Sequence, residues 1–277
     1  MSPRAAVRSA RTGGAAGRTP VRLGTGAGVA TVTLARPRMR NALVPELLLD
    51  LCVALETAGR RDDVRCLLLL AEGEAFSIGC DMRRLAREMQ GPGLQAYAAE
   101  LVGLLNQAML TLMRLPQPVV AGVHGAVEGG ALGLVLAADV VVAAEDARLS
   151  AGYSGAGFSP DGGWTALLPR LAGQRRAGAG LLLDQSITAA QARDWGVVTE
   201  VVPAAELQSA ARSAARRIAQ SPPATMRSAK RMLQSGLDEV EAALEEERLR
   251  FIETVTGAEA REGVARFLAA VADYPSD

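Results

Sequence analysis

VVAGVHGAVEGGALGLVLAADVVVAAEDARL, residues 119–149, joins two apolar, strand-like segments through a glycine loop and a short apolar helix. The first segment is rich in valine, and the second, DVVVAAE, has the same character. Between them, residues 125–130 carry three glycines ahead of the helical run ALGLVLAA. Strand, loop, helix and strand in this order are typical of an α/β fold, in which strands pair and helices cover them.

The same alternation extends on both sides of this stretch. Residues 21–35 predict two strands joined by a glycine-rich turn, and VRCLLLLAEG, residues 64–73, is typical of a strand buried on both faces. Further on, the pattern becomes almost wholly helical and includes the acidic amphipathic segment LDEVEAALEEERLRFIE. We therefore predict an α/β core over residues 21–203 and a C-terminal helical segment over residues 204–277.

Composition narrows the range of functions. Thirty basic and thirty acidic residues give zero net charge, which argues against a general nucleic-acid or membrane-surface binder, since both need a standing positive field. Aromatic residues make up 3%, too few for platforms that stack bases. No apolar stretch reaches the ~18–20 residues that span a bilayer. Three cysteines without metal-ligand spacing and a single histidine predict reduced thiols, no metal site and a cytoplasmic protein.

The N-terminus differs from the rest of the chain. The first 20 residues, MSPRAAVRSARTGGAAGRTP, are rich in Arg, Ala, Gly and Ser, and the first acidic residue of the chain is Glu46. This composition is typical of an organelle transit peptide, and it is equally typical of a disordered extension. We favour a disordered extension over residues 1–20.

Four blocks of the sequence together resemble one known family. EAFSIGCDMRRL (74–85) is similar to an A-F-S-x-G-x-D loop that opens a helix, and residues 119–149 are similar to a strand, a loop with paired glycines and a helix. GFSPDGGWTALLPRLAG (157–173) and ITAAQARDWGVVTEVVP (187–203) match further blocks in order and spacing. By these blocks the chain, over about residues 20–270, resembles the enoyl-CoA hydratase/isomerase (crotonase) superfamily. The resemblance is strongest to its epoxyphenylacetyl-CoA isomerase branch.

The resemblance implies a crotonase-like spiral of ββα units whose C-terminal helices build a homotrimer or a dimer of trimers. It implies an acyl-CoA thioester as substrate, with coenzyme A as part of that substrate and with no separate cofactor or metal. Such reactions develop negative charge on the thioester oxygen, which two backbone N–H groups stabilise in an oxyanion hole. The motif match places these donors at Cys80 and Gly130; an ordinary tight turn is the alternative interpretation of the glycines.

The motif positions for catalytic acids and bases are filled unusually. The two glutamates that hold a water in family hydratases match Gly133 and Tyr153, and neither is a carboxylate. In family members that shift double bonds, an aspartate often lies in the turn that matches residues 157–163, and here it is Asp161. The resemblance thus assigns Asp161 to proton transfer between two carbons of the acyl chain, provided burial raises its pKa. The alternative is that Asp161 caps a helix starting near Gly162.

Further residues are candidates for the site. Glu128 is either a second acid or a solvent-facing side chain, and His124 is expected to make a structural hydrogen bond. A basic pair that the family carries near its C-terminus is replaced by Ala270 and Val271, which removes one phosphate contact unless Arg266 substitutes. The resemblance implies contacts with the acyl group or with coenzyme A at Arg38, Arg40, Ser77, Gly79, Asp81, Met82, Tyr153, Phe158 and Trp164. Solvated surface positions for the arginines and core positions for Phe158 and Trp164 are the alternatives.

Three functions fit the sequence. The first is an acyl-CoA isomerase that uses Asp161 with the backbone N–H groups of Cys80 and Gly130. The second is an enoyl-CoA hydratase, or another lyase or hydrolase of acyl-CoA such as a dehalogenase, that uses Asp161 with Glu128. The third is an acyl-CoA-binding protein with weak catalysis or none, which the missing glutamates favour and the intact oxyanion motifs oppose.

Overall fold

The structure, a computed structural model, describes residues 19–270. The strands are β1 (Val21–Gly26), β2 (Val29–Leu34), β3 (Cys66–Ala71), β4 (Val119–Val123), β5 (Ala126–Glu128), β6 (Val140–Ala144), β7 (Arg148–Ser150), β8 (Ile187–Thr188) and β9 (Glu200–Val202). The helices are α1 (Pro45–Gly59), α2 (Met82–Glu88), α3 (Leu94–Arg114), α4 (Leu132–Leu136), α5 (Tyr153–Ala156), α6 (Leu168–Ala172), α7 (Gln174–Leu182), α8 (Ala189–Asp194), α9 (Leu207–Gln220), α10 (Pro223–Leu233), α11 (Leu237–Val255) and α12 (Ala258–Ala270). None of these helices has the length and apolarity needed to cross a membrane. Most of the predicted extension over residues 1–20, and Val271, lie outside the described residues.

Two sheets organise the strands. The larger has the order β1-β2-β3-β4-β6-β9, with β1 antiparallel to β2 and every other pair parallel. The smaller has the order β5-β7-β8, with β5 parallel to β7 and β8 antiparallel to β7. The chain alternates between the two sheets. β4, β5 and α4 form one ββα unit, and β6, β7 and α5 form the next; in each unit the first strand lies in the larger sheet and the second in the smaller. This is the spiral of ββα units that the sequence predicted.

Apolar side chains cover both faces of the larger sheet. β3, CLLLLA, is buried at every residue, as its continuous apolar run predicts. α1 packs on one face, with α3 against α1, and α9 packs on the opposite face over β3, β4 and β6. α9 places Leu207, Ala211, Ala215 and Ala219 on the sheet, four residues apart, so that one side of the helix is buried and the opposite side is polar.

After β9 the described chain is helical up to α12, as the sequence predicted. α11 packs along α3, and α12 packs on α5 and α2. Two glycines permit the contact between α12 and α5: a Cβ at Gly157 would lie 2.4 Å from the Glu259 carbonyl oxygen, and one at Gly263 would lie 2.3 Å from the Ala156 carbonyl oxygen. Of the C-terminal helices, α12 therefore covers α5. Their role in trimerisation, like the boundary between the two predicted segments, stays a prediction.

A buried lysine fixes α10 to the sheet. Lys230 is 4% exposed; its Nζ donates to the carbonyl oxygens of Leu112 at 2.7 Å and Gln117 at 3.1 Å, and it pairs with Asp139 at 2.8 Å. Asp139 in turn accepts the Val119 N–H at 2.7 Å, at the start of β4. Burial lowers the pKa of Lys230, and the Asp139 carboxylate opposes that shift. The ion pair thus ties α10 to both α3 and the sheet.

Replacing Lys230 by methionine is expected to lower the free energy of unfolding by about 3–5 kcal/mol, because the partly buried Asp139 then loses its cation and the carbonyl oxygens of Leu112 and Gln117 lose their donor. Arg231→Met is the matched control, since Arg231 is exposed at the next position of the same helix. Urea unfolding at pH 7 measures both variants. Equal stabilities of the two variants would contradict a structural role for the buried pair.

Candidate active site

The loop between β3 and α2 is held from inside by its own polar side chains. Ser77 is fully buried; its Oγ donates to the Asn41 carbonyl oxygen at 2.7 Å and accepts the Gly79 N–H at 3.3 Å. Asp81 caps α2 by accepting the Arg84 N–H at 3.0 Å. Neither Ser77 nor Asp81 borders the cavity described below, and Asp81 lines a separate surface groove. Both side chains shape the loop, and the substrate contacts predicted for them stay a prediction.

This loop lies against the glycine loop that follows β4. Ser77 and Val127 form a parallel bridge between the two loops. Gly79 has a φ of +70°, and a Cβ at this position would lie 2.6 Å from the Glu128 carbonyl oxygen. Only glycine fits such a contact at such a backbone angle. The close approach brings Cys80 beside the paired glycines 129 and 130.

Cys80 and Gly130 border the same cavity. Cys80 forms a bridge with Leu43, and the hydrogen bonds of this bridge are made by the residues on either side of Cys80. Gly130 lies in the 3₁₀ turn 129–131 that leads into α4, and the first N–H groups of such a helical segment have no partner within it. Both residues therefore lie at one cavity, where the oxyanion hole was predicted. The role of the two N–H groups stays a prediction.

The cavity has a volume of about 80 Å³ and a mainly apolar wall. Leu101 and Leu105 contribute from α3, and Phe267 contributes from α12. Of the predicted site residues, the structure brings together at this cavity Gly79, Cys80, Met82, Glu128, Gly130, Tyr153, Phe158 and Asp161. The predicted site is therefore assembled from segments that are far apart in the sequence.

Besides Ser77 and Asp81, three predicted site residues lie away from this cavity. Trp164 is fully buried, which is the core position given as its alternative, and its Nε1 donates to the Gly129 carbonyl oxygen at 2.9 Å. Arg38 borders a separate surface groove, and Arg40 pairs with Glu74 at 2.5 Å. Contact of these two arginines with coenzyme A stays a prediction.

Asp161 is the central polar group of the cavity. It is 6% exposed, and a Cβ at Gly130 would lie 2.8 Å from its Oδ1 and 3.1 Å from its Oδ2, so the carboxylate lies against the Gly130 Cα. The Tyr153 hydroxyl donates to Oδ1 at 2.5 Å. Burial raises the pKa of Asp161 to about 7; the Tyr153 hydrogen bond lowers it, and the charge of Glu247 raises it.

Asp161 does not cap a helix. Residues 162–167 form turns, and α6 begins only at Leu168. The predicted helix start near Gly162 is wrong because Gly162 and Gly163 have φ values of +63° and +80°, which a right-handed helix does not contain. The carboxylate is instead directed into the cavity.

The structure leaves no room for a second carboxylate at the two motif positions where family hydratases carry glutamates. A Cβ at Gly133 would lie 2.5 Å from the Met109 sulfur and 2.7 Å from the Gly162 carbonyl oxygen, so no side chain fits there. At the second position, the Tyr153 hydroxyl is engaged by Asp161. A water held between two carboxylates at these positions is therefore excluded.

Glu128 provides a second acidic group at the cavity, at the end of β5. Burial raises the pKa of its carboxyl group, and the charge of Arg40 opposes that rise. Its side chain is half-buried in the cavity wall, and its role as a second acid stays a prediction.

One buried acid near the site is not among the predicted site residues. Glu247 in α11 is 4% exposed, and its carboxylate accepts hydrogen bonds from the turn that follows Asp161. The signal that could have found it is the buried stripe of α11, which consists of Val240, Leu244, Glu247, Phe251 and Val255. An acid within an apolar stripe of a helix requires buried partners.

Comparisons with known proteins agree with this fold. A sequence model of the family described as "Enoyl-CoA hydratase/isomerase" matches residues 24–272. The chain is 34% identical over 243 residues to the 1,2-epoxyphenylacetyl-CoA isomerase of Escherichia coli. The aligned residues cover 87% of this chain and 92% of that protein. It is 32% identical over 243 residues to 4-chlorobenzoyl coenzyme A dehalogenase-2 of an Arthrobacter species, covering 87% of each. A crystal structure of an enoyl-CoA hydratase from Mycobacterium avium subsp. paratuberculosis superposes with a TM-score of 0.81 at 27% identity, covering 91% of this chain and 96% of that one.

The chain belongs to the enoyl-CoA hydratase/isomerase family, an enzyme family that acts on acyl-CoA thioesters. The predicted family and the predicted α/β, crotonase-like fold are confirmed. The names of the relatives include an isomerase, a dehalogenase and a hydratase. Family membership therefore defines the class of substrate and leaves the reaction to be argued from the site.

Asp161→Asn is expected to stabilise the folded protein at alkaline pH. Because burial raises the pKa of Asp161 from 3.8 to about 7, its contribution to stability is fully present below pH 3.8 and is lost as pH rises through about 7. The variant should gain on the order of 2–4 kcal/mol over the wild type at pH 8 and little at pH 4. Denaturant unfolding at both pH values measures this gain.

Asp146→Asn is the control for that comparison, since Asp146 is exposed on the surface. A gain of the same size at pH 4 and pH 8 for Asp161→Asn would show that the pKa of Asp161 is not raised in the folded state.

Proposed function

We propose that this protein is an acyl-CoA isomerase that moves a double bond along the acyl chain, with Asp161 as the proton shuttle. The observation that carries the proposal is a buried carboxylate against the Gly130 Cα, with a pKa of about 7. A carboxyl group whose pKa lies near the working pH can take up a proton in one step and return it in the next. The reaction needs no cofactor beyond the coenzyme A of the substrate.

In the proposed reaction, the thioester carbonyl oxygen of a 3-enoyl-CoA lies between the N–H groups of Cys80 and Gly130. Asp161 removes a proton from the carbon next to the carbonyl, and the electron pair of that C–H bond forms a conjugated enolate. The negative charge on the carbonyl oxygen is stabilised by the two N–H donors. Asp161 then returns the proton two carbons further along the chain. The double bond has moved by one position, and coenzyme A stays attached.

The Tyr153 hydroxyl makes the two carboxylate oxygens of Asp161 different. Its hydroxyl donates to Oδ1, and its ring is held by edge contacts with Phe158 and Trp164, whose centroids lie 6.2 and 6.4 Å away. We therefore assign the proton transfer to Oδ2. The hydrogen bond to Oδ1 also stabilises the ionised form, which is the form that acts as a base.

The wild-type kcat/KM for a 3-enoyl-CoA is expected to rise with pH through about 7, since Asp161 must be ionised to act as a base. Tyr153→Phe removes a hydrogen bond that lowers the pKa of Asp161, so the rise should move to higher pH. Activity measured from pH 5 to pH 9 in both proteins tests this shift. A rise at the same pH in both would contradict the role assigned to the hydroxyl.

Hydration of a 2-enoyl-CoA is the second candidate function, and one observation favours it. Glu128 borders the same cavity as Asp161, so the site holds two acidic groups, although neither lies at a hydratase motif position. In that reaction Glu128 would activate a water molecule and Asp161 would supply the proton. Dependence of the reaction on Glu128 therefore separates the two candidates.

The deciding experiment incubates 2-enoyl- and 3-enoyl-CoAs in D₂O with the wild type, Asp161→Asn and Glu128→Gln, and reads the products by mass. The proposal expects double-bond migration with deuterium uptake in the wild type and in Glu128→Gln, and a loss of about 10²-fold or more in Asp161→Asn. Gain of water that depends on Glu128 would select the hydratase. Binding of the esters without turnover would overturn both and select a binding protein.

A further inference from the structure

Glu247 occupies a position at which α11 otherwise buries apolar side chains. Leu244 and Phe251, on the same side of the helix, are almost fully buried, and Glu247 lies between them. A carboxylate at such a position is strongly unfavourable unless hydrogen bonds or a counter-charge compensate for the lost hydration. The described ion pairs include none to Glu247, so its compensation comes from hydrogen bonds.

All the donors to Glu247 come from one short turn. The Gly163 N–H donates to Oε2 at 2.8 Å. The N–H groups of Thr165 and Ala166 donate to Oε1 at 2.8 and 3.0 Å, and the Thr165 hydroxyl donates to the same oxygen at 2.6 Å. Hydrogen bonds to an ionised acceptor are stronger than neutral ones, so the carboxylate holds this turn firmly.

The turn held by Glu247 is the one that carries Asp161. Gly163 follows Asp161 by two residues. Trp164, in the middle of the turn, donates to the Gly129 carbonyl oxygen at 2.9 Å and so supports the glycine loop as well. Movement of this turn would displace both the aspartate and one side of the predicted oxyanion hole.

The titratable groups that face Asp161 in the described chain come from several elements. Tyr153 on α5 donates a hydrogen bond to it, Glu128 and the Cys80 thiol border the same cavity, and Glu247 approaches from α11. The negative charge of Glu247 raises the pKa of Asp161, whereas the Tyr153 hydrogen bond lowers it. Glu247 therefore acts on Asp161 both through the backbone and through its charge.

We propose that Glu247 is a positioning residue of the active site: it fixes the Asp161 carboxylate against Gly130 through the turn 163–166 and places a second negative charge behind it. The tests of this inference that measure catalysis rest on the proposed function. Glu247 itself does not border the cavity, so it does not touch the substrate.

Two substitutions separate position from charge. Glu247→Asp keeps the charge but withdraws the carboxylate by one methylene group, and it is expected to lower kcat roughly tenfold to a hundredfold with little change in KM. Glu247→Gln keeps the length but removes the charge, and it is expected to move the pH-dependent rise of activity to lower pH. Glu246→Gln is the matched control, since Glu246 is an exposed neighbour on the same helix, and it should change neither quantity.

A measurement without substrate distinguishes this inference from the proposed function. In protein labelled with ¹³C at the aspartate carboxyl groups, the Asp161 signal is identified by its loss in Asp161→Asn and is then titrated by NMR. The titration is expected to move to lower pH in Glu247→Gln and to stay in place in Glu246→Gln, whatever the reaction. An unmoved titration in folded Glu247→Gln would overturn the role of the charge, and full kcat in Glu247→Asp would overturn the role of position.

Thr165→Val keeps the inference testable if the Glu247 variants do not fold. It removes the hydroxyl donor and leaves the three backbone donors. Its kcat is expected to fall about threefold to tenfold, the effect of one hydrogen bond. An unchanged kcat and an unchanged Asp161 titration in this variant would overturn the inference.

Discussion

The contact between two glycine turns determines the geometry of this molecule's functional region. A Cβ at Gly162 would lie 2.4 Å from the Gly130 Cα, so the backbone of the Asp161 turn rests directly on the backbone of the glycine loop. No side chain can separate the two, and the positive φ of Gly162 permits the required bend. The position of the Asp161 carboxylate follows from this contact, since Asp161 is the preceding residue. The neighbouring contact of Gly79 with Glu128 adds the third loop in the same way.

Two buried acids lie close to this contact, and the lost hydration of each carboxyl group is compensated differently. Asp161 accepts one hydrogen bond from Tyr153 and shares a cavity with apolar side chains, so its neutral form is favoured. Glu247 accepts four hydrogen bonds from the turn at 163–166, which solvate its charge within the core. This contrast fits the two proposed roles, since a group that exchanges protons needs two accessible protonation states, whereas a group that holds a turn does not.

The sequence predicted the order of strands and helices, because apolar runs such as β3 and the glycine loops leave strong local patterns. It also predicted which motifs meet at the cavity. It did not predict that the segment after Gly162 forms turns, and it left open whether Trp164 is buried, since both depend on contacts with the distant residues 129–130. Glu247 was missed because an acid in a charged amphipathic helix has no local feature that identifies its buried partners. The placement of Glu128 in the cavity wall likewise depends on the neighbouring loop.

The crowding at Gly133 has a consequence for how this scaffold can change its chemistry. A carboxylate at that position must displace both the Met109 side chain and the Gly162 carbonyl group. The first obstacle is removed by a smaller residue, but the second is the backbone of the turn that carries Asp161. Acquiring an acid on α4 would therefore shift the existing one. In this chain a carboxylate at position 133 and Asp161 in its present position therefore exclude each other, so a change from one arrangement to the other requires concerted substitutions in α4 and in the Asp161 turn.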